Sequence, residues 1–289
     1  MAKIEDSFET ALDMSGLIRL IVDTGSGNIR VSRGQEDKIF VSSRFIVRAP
    51  SEQDARELAD RIKEDPPIEI EGNTIKLGDL SKYRNGFGVF GRLFNRSISM
   101  SFDVQVPYDT EAELDSGSGD QTVSGIRGPV SVDTGSGDVE INGIEKEVVA
   151  DTGSGHIKVT EAARVDADTG SGHVTLSEIW GDAKVDVGSG DVSVENIGGD
   201  IRVDTGSGDI KIDSALGRGV QWRLDTGSGD VLLMLPADAR FAIAAETSSG
   251  EIEVDFPLTV SGKLRKRELR GTVGESPDAD IRIETSSGD

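Results

Sequence analysis

The hydrophobic positions of this chain come in short alternating runs. Between Gly128 and Glu145, Val130 and Val132 alternate with polar neighbours, and Val139 and Ile141 do the same after a break. A period of two over such short runs predicts half-buried strands rather than helix. Gly135 and Gly137 fall in the break, where a residue without Cβ permits the positive φ of a tight corner. Asn142-Gly143 marks a second corner. Each unit therefore reads as two strands and two bends. With the valines inward, Asp133 and Asp138 both point outward, one on each side of the glycine bend.

The break recurs. Asp-Thr-Gly-Ser-Gly begins at Asp23, Asp133, Asp151, Asp168, Asp204 and Asp225, with variants at Asp115, Asp186, Glu246 and Glu284. From Asp115 onward the starts are 18, 18, 17, 18, 18, 21, 21 and 38 residues apart. Asp-Thr-Gly-Ser also carries the catalytic aspartate of aspartic proteases. That chemistry takes two carboxylates sharing one proton, and ten copies at a near-constant interval exclude it. The phrase is structural punctuation.

An interval of 18 residues is too short for a βαβ crossover, and a propeller blade needs about 40. It suits one coil of a β-solenoid, stacked on the previous coil at about 4.8 Å with like residues in register. The predicted fold class is all-β: a single-stranded parallel β-helix of about 18 residues per coil, consecutive copies lying directly above one another. Its corner glycines are Gly135, Gly137, Gly153, Gly155, Gly170, Gly172, Gly188, Gly190, Gly206 and Gly208. A slender aliphatic interior leaves little room for tryptophan, in keeping with an aromatic content of 4%.

The whole chain, 1–289, reads as one solenoid domain. Residues 1–33 form an opening coil, 34–110 an elaboration, 111–235 the regular repeats, and 236–289 longer coils with a C-terminal cap. The elaboration contains one helix, Ser51 to Asp65, with Ser51 as N-cap, Leu58 and Ile62 as its apolar face, and Pro66-Pro67 as the stop. Two strand-like runs follow, Ile68–Ile70 and Ile75–Leu77. The last copy, Glu284–Asp289, is not followed by the alternation seen after the others.

Charge narrows the function. The formal net charge is −22, which argues against nucleic acid, since phosphate backbones call for Lys and Arg. There are no cysteines, so disulfides and thiolate metal sites are excluded. No apolar run approaches the roughly 18 residues of a membrane span. The start, MAKIEDSFET, holds no hydrophobic signal core. That leaves two expectations: a cytoplasmic protein, or an exported one whose signal is not part of this chain.

Stacking turns the paired acids into two outer columns. Dense carboxylates attract Ca²⁺ weakly, but only one half of each unit carries a Gly-x-Gly-Asp corner, so solvated acids are the expected state. His156 and His173, the only histidines, occupy equivalent corner positions in adjacent coils. The predicted column Asp138–His156–His173–Asp191 is a candidate transition-metal site, set against the plainer reading that two neutral residues interrupt a charge ladder. Two candidate docking patches stand out. One is the aromatic, glycine-rich run with Phe87, Phe90 and Phe94; the other is the basic run with Lys263, Arg265, Lys266 and Arg267. No cofactor is expected.

The recurring T-G-S-G-D-[IV]-x-[IV] units, the opening SFETALDMSGLIRLIVDTGSGNIRV, the SFDVQVP at Ser101–Pro107 and the late VSGKLRKRELRGTV at Val260–Val273 together resemble a bacterial family of β-strand-repeat domains of unknown function. Its members are called adhesin-like and are related to adhesin-head repeats. The resemblance covers nearly the whole chain. It implies a right-handed parallel β-helix and a protein exported to the cell envelope, and it brings no catalytic residue. The expected function is a non-enzymatic, adhesin-like interaction protein presenting rigid acidic faces to a protein or polysaccharide surface. Alternatives are a carbohydrate-active β-helix enzyme using paired acids, a Ca²⁺-binding solenoid, and end-to-end self-association of the coils.

Overall fold

A computed structural model describes residues 1–84, 97–260 and 266–289. The chain divides into two compact units, Met1–Glu140 and Ile141–Asp289. The strands of the first are β1 (Ala2–Asp13), β2 (Ile18–Thr24), β3 (Ile29–Arg33), β4 (Lys38–Ala49), β5 (Ile68–Glu71), β6 (Thr74–Leu77), β7 (Ser97–Val106), β8 (Thr110–Ser116), β9 (Gln121–Ser124) and β10 (Val130–Thr134). Its helices are α1 (Glu52–Glu64) and α2 (Ser81–Arg84). β11 (Val139–Thr152) carries the chain into the second unit. There follow β12 (Ile157–Ser171), β13 (Val174–Ile179), β14 (Ala183–Ser189), β15 (Val192–Ile197), β16 (Ile201–Thr205) and β17 (Ile210–Asp213). The last six are β18 (Val220–Ser228), β19 (Val231–Met234), β20 (Phe241–Thr247), β21 (Leu258–Val260), β22 (Glu268–Val273) and β23 (Ala279–Ser287).

In the first unit, β6, β2, β8 and β10 form a parallel ladder. β7, β3 and β9 form a second. Asp23 lies beside Asp115 although 92 residues separate them in sequence, so the elaboration leaves and re-enters without disturbing the ladder. It also supplies the ladder's outermost strands, β6 and β7. β7 then pairs antiparallel with β4, and β4 with β1, which replaces an open parallel edge by an antiparallel layer. Helix α1 is capped by Ser51, whose hydroxyl accepts the Asp54 N–H at 3.1 Å. It buries Ala55, Leu58, Ala59 and Ile62 against β1 and β4.

The second unit also has two parallel ladders. One runs β12, β14, β16, β18, β23, β20. The other runs β12, β13, β15, β17, β19. From β12 to β18 and from β12 to β19, partners are 17, 18 or 21 positions apart, as in Ile157 with Val174, Ala183 with Ile201 and Val203 with Leu224. Inward residues such as Val194, Val203 and Ile212 are fully buried, and each contributes about 1.5–3 kcal/mol.

The copies do not stack in sequence order throughout. Asp225 pairs with Glu284, and Glu284 pairs with Glu246. The last copy is thus inserted between two earlier ones, which corrects the expectation of consecutive stacking. Among the described residues, 252–260 and 266–278 lie outside this ladder. Within them, β22 pairs antiparallel with the outer edge of β20, and the chain then returns to place β23 alongside β18. The second ladder reflects this. Among the described residues β19 has β17 as its strand partner. Val231, Leu233, Ile252, Val254 and Phe256 stay half-buried where Val192, Val194, Ile210 and Ile212 are buried.

The interior also accepts a tryptophan. Trp222 is 1% exposed, in register between Ile201 and Ile281. Its indole N–H donates to the Gly199 carbonyl at 3.3 Å. The expectation of a core too thin for Trp fails at this level, where the connection from β17 to β18 is three residues longer than in the regular copies. Trp180, by contrast, is 56% exposed.

Candidate functional site

The repeated Asp-Thr-Gly-Ser-Gly-Asp is a set of contacts between neighbouring copies. Its Thr points inward and is buried, and its hydroxyl donates to the carbonyl of the second Gly of a neighbouring copy. Thr169 reaches Gly155 at 3.1 Å, Thr205 reaches Gly190 at 3.3 Å and Thr226 reaches Gly208 at 3.1 Å. In the regular copies the first Gly answers a close approach rather than a positive φ: a Cβ on Gly188 would lie 2.5 Å from the Gly170 carbonyl oxygen. This corrects the reading for Gly135 and Gly137, neither of which has a positive φ; a Cβ on Gly137 would lie 2.1 Å from the Gly119 carbonyl oxygen. The second Gly combines both constraints at Gly208, with φ +149° and a Cβ that would fall 2.0 Å from Gly190 O.

The two acidic columns differ in kind. The residue after the second Gly accepts the backbone N–H of its counterpart one level on. Asp191 accepts from Asp209 at 3.0 Å, Asp209 from Asp230 at 2.9 Å and Asp230 from Asp289 at 2.9 Å. In the first unit Asn28 accepts from Asp120 at 3.1 Å, and Asp120 from Asp138 at 3.2 Å. The histidines take the same role. His156 Nδ1 accepts the His173 N–H at 3.0 Å, and His173 Nδ1 accepts the Asp191 N–H at 2.9 Å. Their rings stack at 5.1 Å with an interplanar angle of 2°. His173 Nδ1 lies 3.4 Å from an Asp191 carboxylate oxygen. An accepting Nδ1 places the proton on Nε2, so in this ladder histidine stands in for aspartate as a backbone acceptor. Among the described residues no three His, Asp or Glu side chains converge as metal ligands.

The other column is formed by the first Asp of the motif. Asp23, Asp115 and Asp133 are in register in the first unit. Asp168, Asp186, Asp204, Asp225, Glu284 and Glu246 are in register in the second. Partial burial, then the neighbouring carboxylates Asp23, Asp133 and Glu113, push the Asp115 carboxyl up. Burial and Asp186 do the same to Asp168, and burial, Glu284 and Asp204 to Asp225.

Two residues before this column runs a line of opposite sign. Lys184, Arg202, Arg223 and Arg282 are in direct register on β14, β16, β18 and β23. They line an open groove of about 820 Å³ across the outer face of the second unit, walled at one end by Arg270, Gly271 and Thr272 of β22. Six cationic and three acidic side chains line it. Of those acids, Asp182 accepts the Asp200 N–H at 3.0 Å and Asp200 accepts the Gln221 N–H at 2.8 Å. Lys184 pairs with Asp166 at 3.1 Å, and Arg282 with Glu284. Arg202 and Arg223 form no ion pair among the described residues. The row is legible in the sequence as K-x-D, R-x-D, R-x-D and R-x-E at aligned positions, among 53 Asp and Glu residues that outnumber its cations. Of the docking candidates, Phe87, Phe90, Phe94, Lys263 and Arg265 lie outside the described residues, while Lys266 and Arg267 are exposed just before β22.

A family model described as Toastrack DUF4097 matches residues 19–289. None of the curated proteins matches the chain. Several solved structures are similar over most of its length. A candidate lipid binding protein from Parabacteroides distasonis ATCC 8503 is 13% identical, covering 98% of this chain and 95% of its own, with a TM-score of 0.42. A candidate adhesin from Bacteroides fragilis NCTC 9343 is 12% identical, with 98% and 97% covered and a TM-score of 0.33. A candidate cell adhesion protein from Clostridium sporogenes ATCC 15579 is 11% identical, with 99% and 97% covered and a TM-score of 0.24.

Proposed function

The chain belongs to the Toastrack DUF4097 family, and we propose that it is a non-enzymatic, adhesin-like interaction protein. In this reading each motif copy closes one right-handed coil of about 18 residues, and the rigid outer faces of the coils, acidic for most of their extent, meet a surface at or outside the bacterial envelope. No helix among the described residues is long and apolar enough to cross a membrane. One observation carries the reading: the charged side chains of the outer face are held in register rather than brought together. Asp186, Asp204 and Asp225 occupy successive levels of one open ladder, an arrangement suited to an extended partner. Paired catalytic carboxylates would instead face one bond from two sides.

The test is a glycan array probed with labelled protein, followed by product analysis of every glycan retained. The expected result is retention without chain shortening. Cleaved products, or no retention on glycans or on fixed bacterial cells, would overturn the proposal.

A further inference from the structure

We propose that the groove of the second unit binds a linear anionic polysaccharide along the row Lys184–Arg202–Arg223–Arg282. The inference rests on the interaction-protein reading above and names its ligand class. Four cations occupy successive levels with no acid between them, a line of positive charge on the order of 14 Å long at the usual strand spacing. Holding like charges at that spacing is unfavourable, and in a chain of net charge −22 it runs against the rest of the sequence. The two inner members, Arg202 and Arg223, are exposed and have no ion-pair partner among the described residues. Of the three groove acids, Asp182 and Asp200 accept backbone N–H groups, Asp182 also pairs with Arg164 at 3.3 Å, and Asp280 stands beside Gln221. The guanidinium forks are therefore exposed and available for bidentate contact with carboxylate or sulfate.

The shape of the charge selects the partner. The row is one side chain wide, and the column Asp186, Asp204, Asp225, Glu284 runs beside it two positions along each strand. A flat anionic membrane or a nucleic acid duplex would bring its charge onto those carboxylates as well. A single-stranded nucleic acid would call for exposed aromatic platforms, and the one aromatic of the lining, Trp222, is buried. A thin chain with a negative group at regular intervals meets the cations and clears the acids.

The experiment measures binding of polygalacturonate to the full chain at low salt, with dextran sulfate as a second polyanion and neutral dextran as control. Variants are Arg202→Gln with Arg223→Gln, and Lys211→Gln as an exposed cation of the other ladder. The proposal expects saturable binding of polygalacturonate, weakened by added salt, with Kd raised at least about tenfold in the double variant and unchanged in Lys211→Gln. Circular dichroism confirms that the variants fold. Equal loss in both variants, or none in either, overturns the proposal. Binding of either polyanion that the double variant leaves undiminished also overturns it. Self-association at low salt that the double variant abolishes, without competition by polygalacturonate, assigns the groove to a second copy and overturns it too. Absence of polygalacturonate binding together with retention on other glycans sinks this assignment and leaves the wider reading standing.

Discussion

Replacing Asp115 by Asn tests the outer acid ladder most cleanly. Asp115 stands in register between Asp23 and Asp133, and Glu113 lies two residues before it on the same face. Partial burial and these three carboxylates all push its pKa above the ordinary value of 3.8, and no cation opposes them. Among the described residues its carboxylate accepts no hydrogen bond, so Asn forfeits nothing but charge. At a strand spacing of about 4.8 Å, each register neighbour repels it by about 0.9 kcal/mol in bulk-water dielectric. Two neighbours give about 2 kcal/mol, and a Debye length of about 8 Å at physiological salt halves that. The expected gain is about 1 kcal/mol for this exposed group at moderate ionic strength, shrinking toward zero near 1 M salt. Urea unfolding in low and high NaCl reads it directly. The pH dependence has a definite sign. A raised folded-state pKa means that the folded chain holds the proton more tightly than the unfolded chain. The ladder therefore costs stability at neutral pH, and the cost is relieved as pH falls through the raised pKa toward 3.8. Wild-type protein gains stability over that window, and the variant lacks the share due to Asp115. A variant no more stable than wild type at low salt, or a gain indifferent to salt, would refute the reasoning.

The remaining predictions concern the contacts between copies. Asp209→Ala removes the acceptor for the Asp230 N–H and is expected to cost about 1 kcal/mol, while Asp209→Asn keeps the acceptor and stays within about 0.5 kcal/mol of wild type in the same urea assay. Gly208→Ala places a Cβ 2.0 Å from a neighbouring backbone carbonyl at φ +149°. It is expected to cost about 3 kcal/mol or more, or to yield insoluble protein.

Much of the fold is written locally. The alternation of Val130, Val132, Val139 and Ile141 gives both the strands and their buried faces. Ser51 and Pro66 bound α1 as the capping rules require. What the sequence hides is which copy lies above which. The spacing from Asp225 to Glu246 equals that from Asp204 to Asp225, yet only the second pair are neighbours, because a hydrophobic period records the face of a strand and not its partner. The candidate sites were obscured for a related reason. His156 and His173 attract metal chemistry when read alone, and their part as backbone acceptors depends on N–H groups a full copy away. The cation row was present in aligned copies, but Arg282 follows Arg223 by 59 residues, and its place in the row depends on the insertion of β23.

That insertion offers the sharpest check on the whole account, and the natural absence of cysteine makes it accessible. Two double variants are compared under mild oxidation: Asp225→Cys with Glu284→Cys, and Asp225→Cys with Glu246→Cys. Register neighbours fall within the separation of about 4.4–6.8 Å between Cα atoms that a disulfide spans, and residues two levels apart do not. The account predicts rapid intramolecular disulfide formation in the first variant and free thiols in the second. The reverse outcome, with position 225 bonded to position 246, would mean that the copies stack in sequence order, and would contradict both the ladder and the cation row built on it.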